Sequence, residues 1–190
     1  MIWRNILKIF EKIKADWKIL LLPFSLTAVV IAADQLVKGF IVKNWPVEGT
    51  FIKDAFDNGI LQFYHVRNKA IAFSLGNTLP DAVRPILFVV LPLIVLGFLV
   101  WYYFTSNEFS RLQRWAVAGI IGGGLGNITD RIFRPDGVVD FISVKFYGIF
   151  GMERWPTFNI ADSCVVISCT LFLITILFTS NKAKEKKENE

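Results

Sequence analysis

Four apolar stretches, at 19–42, 85–104, 112–128 and 160–180, alternate with polar segments along the chain. Each runs about 17 to 24 residues, the length a helix needs to cross the hydrocarbon core of a bilayer. The first continues into Asp34, Gln35 and Lys38 with no small-residue cleavage site, and three more follow, so it reads as a retained span rather than a removable signal peptide. Ahead of it, Ile2, Trp3, Ile6, Leu7, Phe10, Ile13 and Trp17 recur at helical spacing among lysines, which predicts a short amphipathic helix anchored on a membrane surface. Between the first two spans the runs TFIKDAF and GILQFYHV, the second rich in aromatic and β-branched residues, predict strands of a small sheet resting on the membrane. The expected fold is an α-helical integral membrane protein with four transmembrane helices and a small extracytoplasmic sheet and loop region. Its parts are an N-terminal cytoplasmic segment (1–18), a membrane domain (19–180) with outer loops at about 43–84 and 129–159, and a charged cytoplasmic tail (181–190).

Composition supports the membrane class: 54% of the 190 residues are hydrophobic and the mean hydropathy is +0.49. A net charge of +5 fits nucleic acid, anionic headgroups or cytoplasmic loop anchoring. Position decides among them. Arg4, Lys8, Lys12, Lys14 and Lys18 gather at one end and Lys182, Lys184, Lys186 and Lys187 at the other, outside every apolar run, which is a topology signal and argues against nucleic acid. Placing both termini and the Arg111/Arg114 loop in the cytoplasm turns the other two loops outward, where Lys and Arg are sparser. Cys164 and Cys169 lie five apart in one apolar run and read as small apolar residues, since neither zinc ligands nor a disulfide framework has this spacing. His65, the single histidine, has no carboxylate or cysteine at ligand spacing, so neither a metal site nor a Ser-His-Asp triad is built on it. The four glycines of IIGGGLGNI lie inside a span, where they allow close helix approach, and not at a strand-to-helix turn that would cradle a nucleotide. No cofactor is expected.

Polar residues then stand out by depth. On this topology Asp34 comes late in the first span, Asn127, Asp130 and Arg131 end the third, and Asn159 and Asp162 open the fourth, all at the outer-leaflet level. A charge at a span centre costs about 2.5 to 3.5 kcal/mol on insertion scales, so such groups are either functional or paired. Asp34 with Lys38, or Asp130 with Arg131, would be pairs; Asp34, Asp130, Asp140 and Asp162 are the candidates for chemistry. Two carboxyls at one site share a proton, so that one acts as base on a water while the other polarises a carbonyl and feeds the leaving amine. That is peptide hydrolysis without a metal or a nucleophilic side chain. The residues alone leave Asp130 and Asp140 open as the partner of Asp162.

The strings DQLVK, NKAIAFSLG, GGGLGNITDRI, GVVDFI and FNIADS, in this order across residues 19–180, resemble the bacterial lipoprotein signal peptidases, or signal peptidase II. The resemblance implies a membrane-embedded aspartic endopeptidase with Asp140 and Asp162 as the catalytic pair. Asp34, Lys38, Asn68, Ala72, Phe73, Asn127, Asp130, Arg131 and Asn159 would be supporting or substrate-binding residues. It also implies the substrate, a prolipoprotein whose lipobox cysteine carries a diacylglyceryl group and which is cut just before that cysteine. Membrane lipids would surround the site, and the cyclic peptide globomycin would be an inhibitor. The setting would be the bacterial inner membrane, with the active site near the outer leaflet. In mechanism, Arg131 and Asn68 would position substrate backbone or lipid ester groups, and Asn127 and Asn159 would orient the carboxylates. Two departures are visible: Ala70 stands where the family has a glycine, and the stretch 145–157 is longer than in the family, as a lid or substrate-contact loop would be. Two other classes compete. A transporter or channel subunit would also bury carboxylates, but it predicts inverted repeats that the sequence lacks. A binding or assembly factor that lost the chemistry would have no need of aspartate at both positions.

Overall fold

The computed structural model describes residues 2–69, 80 and 83–188; Ala70, Ala72 and Phe73 lie outside the described residues. Five helices and one small sheet follow in the order α1 (Ile2–Leu21), α2 (Phe24–Asn44), β1 (Phe51–Asp54), β2 (Leu61–Asn68), α3 (Leu91–Thr105), α4 (Arg111–Phe133), β3 (Val138–Val144) and α5 (Ile160–Glu188). A wide helical turn, Ile86–Val90, leads into α3, close to where Pro92 withholds a backbone donor. Three helical segments, Phe24–Asn44, Ile86–Thr105 and Ile160–Phe178, are long and apolar enough to cross a membrane. The apolar side chains they turn outward, among them Val29, Leu36, Ile94, Phe98, Val166 and Leu177, form a lipid-compatible surface.

The third predicted span became α4, which differs from the other three because it sits inside the bundle. It packs against α5, α2 and α3, and Ala116, Val117, Ala118, Gly119, Ile121, Gly122 and Gly123 are all buried. A helix shielded by protein on most sides needs few large apolar residues of its own. Its glycines are the contact surface. A Cβ on Gly122 would meet the Thr27 backbone of α2, and one on Gly123 would run into the Ala161 carbonyl and Val165 of α5. Gly123→Ala should therefore push α5 away from α4 and destabilise the fold by about 1–3 kcal/mol, the usual penalty of overpacking. Unfolding in mixed micelles would check it, with Gly39→Ala, whose Cβ meets nothing, as the control.

α4 also runs further than the hydropathy predicts. It continues to Phe133, so Asp130 and Arg131 ride on a helix and not in an outer loop. A capping box starts it: Ser110 Oγ accepts from the Gln113 amide at 3.3 Å and Gln113 Oε1 accepts from the Ser110 amide at 2.8 Å. The main core joins Leu20, Leu96, Tyr103, Val117, Ile121 and Ile128, and the Tyr103 hydroxyl donates to the Leu20 carbonyl at 2.8 Å.

The sheet is antiparallel in the order β1-β2-β3. Its runs in 50–66 match the predicted strands; β3, from GVVDFISV, is an additional one. Along β3, Val139 and Phe141 pack with Ile41 of α2, which joins the sheet to the end of the bundle. By the two-residue period of a strand, Val138 and Asp140 face the other way. The register between β2 and β3 slips between Phe63 and Val66, so that Tyr64 and His65 stand against Phe141 alone. His65, buried in this bulge, bonds through Nδ1 to the Trp45 carbonyl at 2.6 Å, and its backbone joins Gly49 and Thr50, tying the end of α2 to the sheet.

Candidate active site

Asp162 sits in the first turn of α5, and Asn159 is the residue that starts the turn. Asn159 Oδ1 accepts from the Asp162 amide at 2.9 Å, and Asp162 Oδ2 accepts from the Asn159 amide at 3.2 Å. This reciprocal pair is a capping box with an aspartate as its third helical residue. It sets the Asp162 rotamer and leaves Oδ1 to a second donor, Asn127 Nδ2 of α4, at 2.6 Å.

Asp140 comes from the middle of β3, opposite Val66 across the ladder and just past the bulge. Asn68 Nδ2, at the end of β2, donates to its Oδ2 at 3.0 Å, and Asn159 Nδ2 donates to its Oδ1 at 2.7 Å. Asn159 Nδ2 also reaches Asn127 Oδ1 at 3.0 Å. The two asparagine amides thus bridge the aspartates, each amide having its oxygen and nitrogen ends committed to different partners.

Behind this layer lies a buried ionic one. Lys38 Nζ is fully buried between Asp34 Oδ2 at 2.7 Å and Asp130 Oδ2 at 2.9 Å, and donates also to Asn127 Oδ1 at 3.1 Å. Asp34 Oδ1 accepts from the Ala161 amide at 3.0 Å, so it caps the helix that carries Asp162. Asp130 Oδ2 accepts from the Val139 amide at 3.1 Å, so it holds the strand that carries Asp140. Gln35 donates to Asp130 Oδ1 at 2.9 Å and to the Gly126 carbonyl at 3.0 Å, and Arg134 pairs with Asp130. One lysine and two aspartates thereby lock α2, α4, β3 and α5 together at one level.

Asp140 and Asp162 open on a cavity of about 1130 Å³, whose lining includes Arg67, Asn68, Arg131, Phe146, Trp155 and Val166. Burial pushes the Asp140 carboxyl up to about 7, and the Asp162 charge adds to that push, while Asn68, Asn159 and Lys38 oppose it. Arg131, stacked on the Phe88 ring at 5.2 Å, brings a cation to the same cavity.

The expected Asp34–Lys38 pair is present, and it is larger than expected, since Lys38 is shared with Asp130. Asp130 pairs with Lys38 and with Arg134. Asp34, Lys38, Asn68, Asn127, Asp130, Arg131, Asp140, Asn159 and Asp162 all converge at this end of the bundle. Gln35 and Arg134 were not anticipated. Gln35 had one available signal, its place between Asp34 and Lys38 in an otherwise apolar run; Arg134 had none, because its partners come from α2 and from its own helix. Arg154 is another addition: it donates to Ser143 Oγ at 2.7 Å, to the Ser143 carbonyl at 2.8 Å and to the Gly59 carbonyl at 2.7 Å, fastening the 145–157 stretch to the sheet.

Apolar spanning helices that gather a buried carboxylate cluster beside a sheet-lined cavity define a helical membrane protein with a polar site at one end of its bundle. Two solved structures share this architecture, each described as a bacterial membrane enzyme structure. One has a TM-score of 0.69 at 28% identity, covering 84% of this chain and 90% of its own, and the other 0.67 at 26%, covering 82% and 92%. The family model described as signal peptidase (SPase) II matches residues 26–178. Among similar proteins are the lipoprotein signal peptidases of Treponema denticola, 44% identical over 168 residues (88% of this chain, 95% of that one), and Treponema pallidum, 42% over 161 residues (85% of each). The chain belongs to the signal peptidase II family and is therefore a peptidase.

Proposed function

We propose that this protein is an aspartic endopeptidase that removes the signal peptide from diacylglyceryl-modified prolipoproteins, cutting just before the lipidated cysteine. The observation that carries the reading is the pair Asp140 and Asp162, brought to one cavity from a strand and a helix and bridged by Asn127 and Asn159. Asp140 holds the shared proton, since burial raises it to about 7. Asp162, with amide donors on both oxygens at the start of a helix, is the base.

The steps follow from those two states. Asp162 takes a proton from a water between the carboxyls, and the oxygen attacks the scissile carbonyl carbon as Asp140 gives its proton to the carbonyl oxygen. The resulting tetrahedral diol collapses: the C–N bond breaks, Asp162 delivers its proton to the leaving amine, and one diol hydroxyl returns its proton to Asp140. Water is consumed, and the enzyme ends as it began. Asn68 and Arg131 hold substrate backbone or ester oxygens near the carboxyls.

The lipid on the substrate is supported by the rim. Val166 and Ile167, which line the cavity, are also exposed on the outer surface of α5, so the cavity opens sideways toward the acyl region. In this reading α4 crosses the membrane with α2, α3 and α5 in the bacterial inner membrane. The carboxylates then lie near the outer leaflet, 19–180 forms the peptidase domain, and both the 1–18 segment and the charged tail are cytoplasmic. Globomycin would occupy the same cavity. The test is cleavage by purified protein in detergent of one precursor in two forms. Release from the diacylglyceryl-modified form, with the unmodified form cut at least about tenfold more slowly, is expected, since about 1.4 kcal/mol of lost contact already gives that factor. Folded, monodisperse protein that cuts neither form would overturn the reading.

A further inference from the structure

At the opposite end of the bundle from the carboxylates there is a second cavity, of about 510 Å³, formed where α1 meets α2 and α4 begins. Arg111 on its wall is nineteen residues before Asp130 on the same helix, which at 1.5 Å per residue puts it about 28 Å away, near the far side of a bilayer core. The cavity has a structural origin. Asp16 leaves helical geometry (φ −121°, ψ 30°), so α1 bends there and its last turn departs from the line of the first four. Pro23 then turns the chain into α2.

The bend is held from both sides. Before it, Lys12 Nζ donates to the Ser106 carbonyl at 2.8 Å and the Phe104 carbonyl at 3.2 Å, docking α1 on the C-terminal end of α3. After it, Leu20 is buried in the main core and its carbonyl takes the Tyr103 hydroxyl. The cavity wall is therefore preformed. Most of that wall, 15–23, precedes the residues that match the family, which begin at 26.

Two cations, Lys18 and Arg111, and two indoles, Trp17 and Trp115, line the cavity with Leu22 and a single carboxylate, Asp16. Neither Lys18 nor Arg111 has an ion pair among the described residues; Lys18 lies over the Trp17 ring at 5.7 Å. Indoles belong at the membrane–water boundary, and juxtamembrane cations attract anionic headgroups. Exposed Ile19 and Leu22 continue the wall onto the apolar flank of the bundle, where acyl chains would lie.

We infer that this cavity is a binding site for one anionic phospholipid, with Lys18 and Arg111 on the phosphate and Trp17 and Trp115 flanking the glycerol. The ligand comes from the bilayer, and it would clamp α1 to α4 at the bundle end remote from catalysis. The site stands independently of the peptidase chemistry.

Native mass spectrometry of the delipidated full chain, offered phosphatidylglycerol or phosphatidylcholine at equal concentration, tests it. Retained phosphatidylglycerol should exceed phosphatidylcholine several-fold, and Lys18→Gln and Arg111→Gln should each bring it close to the phosphatidylcholine level. Lys14→Gln, which removes the same charge one turn away and outside the cavity, should leave it unchanged. Equal retention of the two lipids, or an equal loss with Lys14→Gln, overturns the site in favour of diffuse charge. Full displacement by excess inorganic phosphate assigns the cavity to a free anion and overturns the lipid. All three residues are exposed, so the variants fold, and a monodisperse elution with wild-type helical circular dichroism confirms it for each.

Discussion

Asp162→Asn should cut the rate of signal-peptide release at least about 10³-fold, within the range that positioned general acid–base groups supply. The asparagine keeps the size of the side chain and its place in the turn, while the base is gone. Asp140→Asn should lose as much, because its amide can no longer pass a proton to the scissile carbonyl. Substrate binding should survive in both, so the lipidated precursor would still co-purify with the inactive proteins. The wild-type pH profile carries the companion result. In the proposed mechanism the working form holds a proton on Asp140, whose carboxyl is raised to about 7, so activity should decline as pH climbs through about 7. Asn68 donates to Asp140 and favours the ionised form, so Asn68→Ala should move that alkaline limb to higher pH. An Asp162→Asn protein that cleaves at the wild-type rate would end the dyad reading.

Lys38→Met carries the second large effect. Breaking a buried ion pair by removing one partner costs about 3–5 kcal/mol, because the other charge is left uncompensated. Here fully buried Asp34 loses its cation, and fully buried Asp130 keeps Arg134 alone. The two elements those carboxylates hold are the ones that carry Asp162 and Asp140, so activity should fall with stability. Adding Asp34→Asn to Lys38→Met removes one stranded charge and should recover part of the lost stability without restoring cleavage. Denaturant titration in mixed micelles, read beside the gel-shift assay, checks both. If Lys38→Met unfolds at the wild-type midpoint, the lysine is not what joins α2 to α4.

Much of the site was legible because a polar residue in an apolar run carries its own signal. Asp34, Lys38, Asn127, Asp130, Asn159 and Asp162 stand out against their neighbours, and depth along each span aligned them before any contact was known. Asp140 was harder. It follows two valines in a segment whose polarity fits an outer loop, and no periodicity separated it from Asp130 as the partner of Asp162; only the resemblance did. Asp130 accepts from Lys38, Gln35 and the Val139 amide. The run VVDFISV carries a local strand signal, with five β-branched or aromatic residues in seven, but its place beside β2 is set by the ladder it joins.

Hydropathy, the charge distribution and the depth of the polar residues were determined by the sequence by itself, since burial of apolar length and exclusion of charge from lipid depend on composition within one segment. The sharing of one lysine by two aspartates, the asparagine bridge between Asp140 and Asp162, and the bend that opens the second cavity were decided only by the tertiary structure. Each depends on groups dozens of residues apart: Lys38 and Asp130, Asn127 and Asp162, Trp17 and Trp115. Hydrogen bonds and ion pairs act over a few ångström, and which groups come that close is set by how α4, through its glycines, seats against α2 and α5.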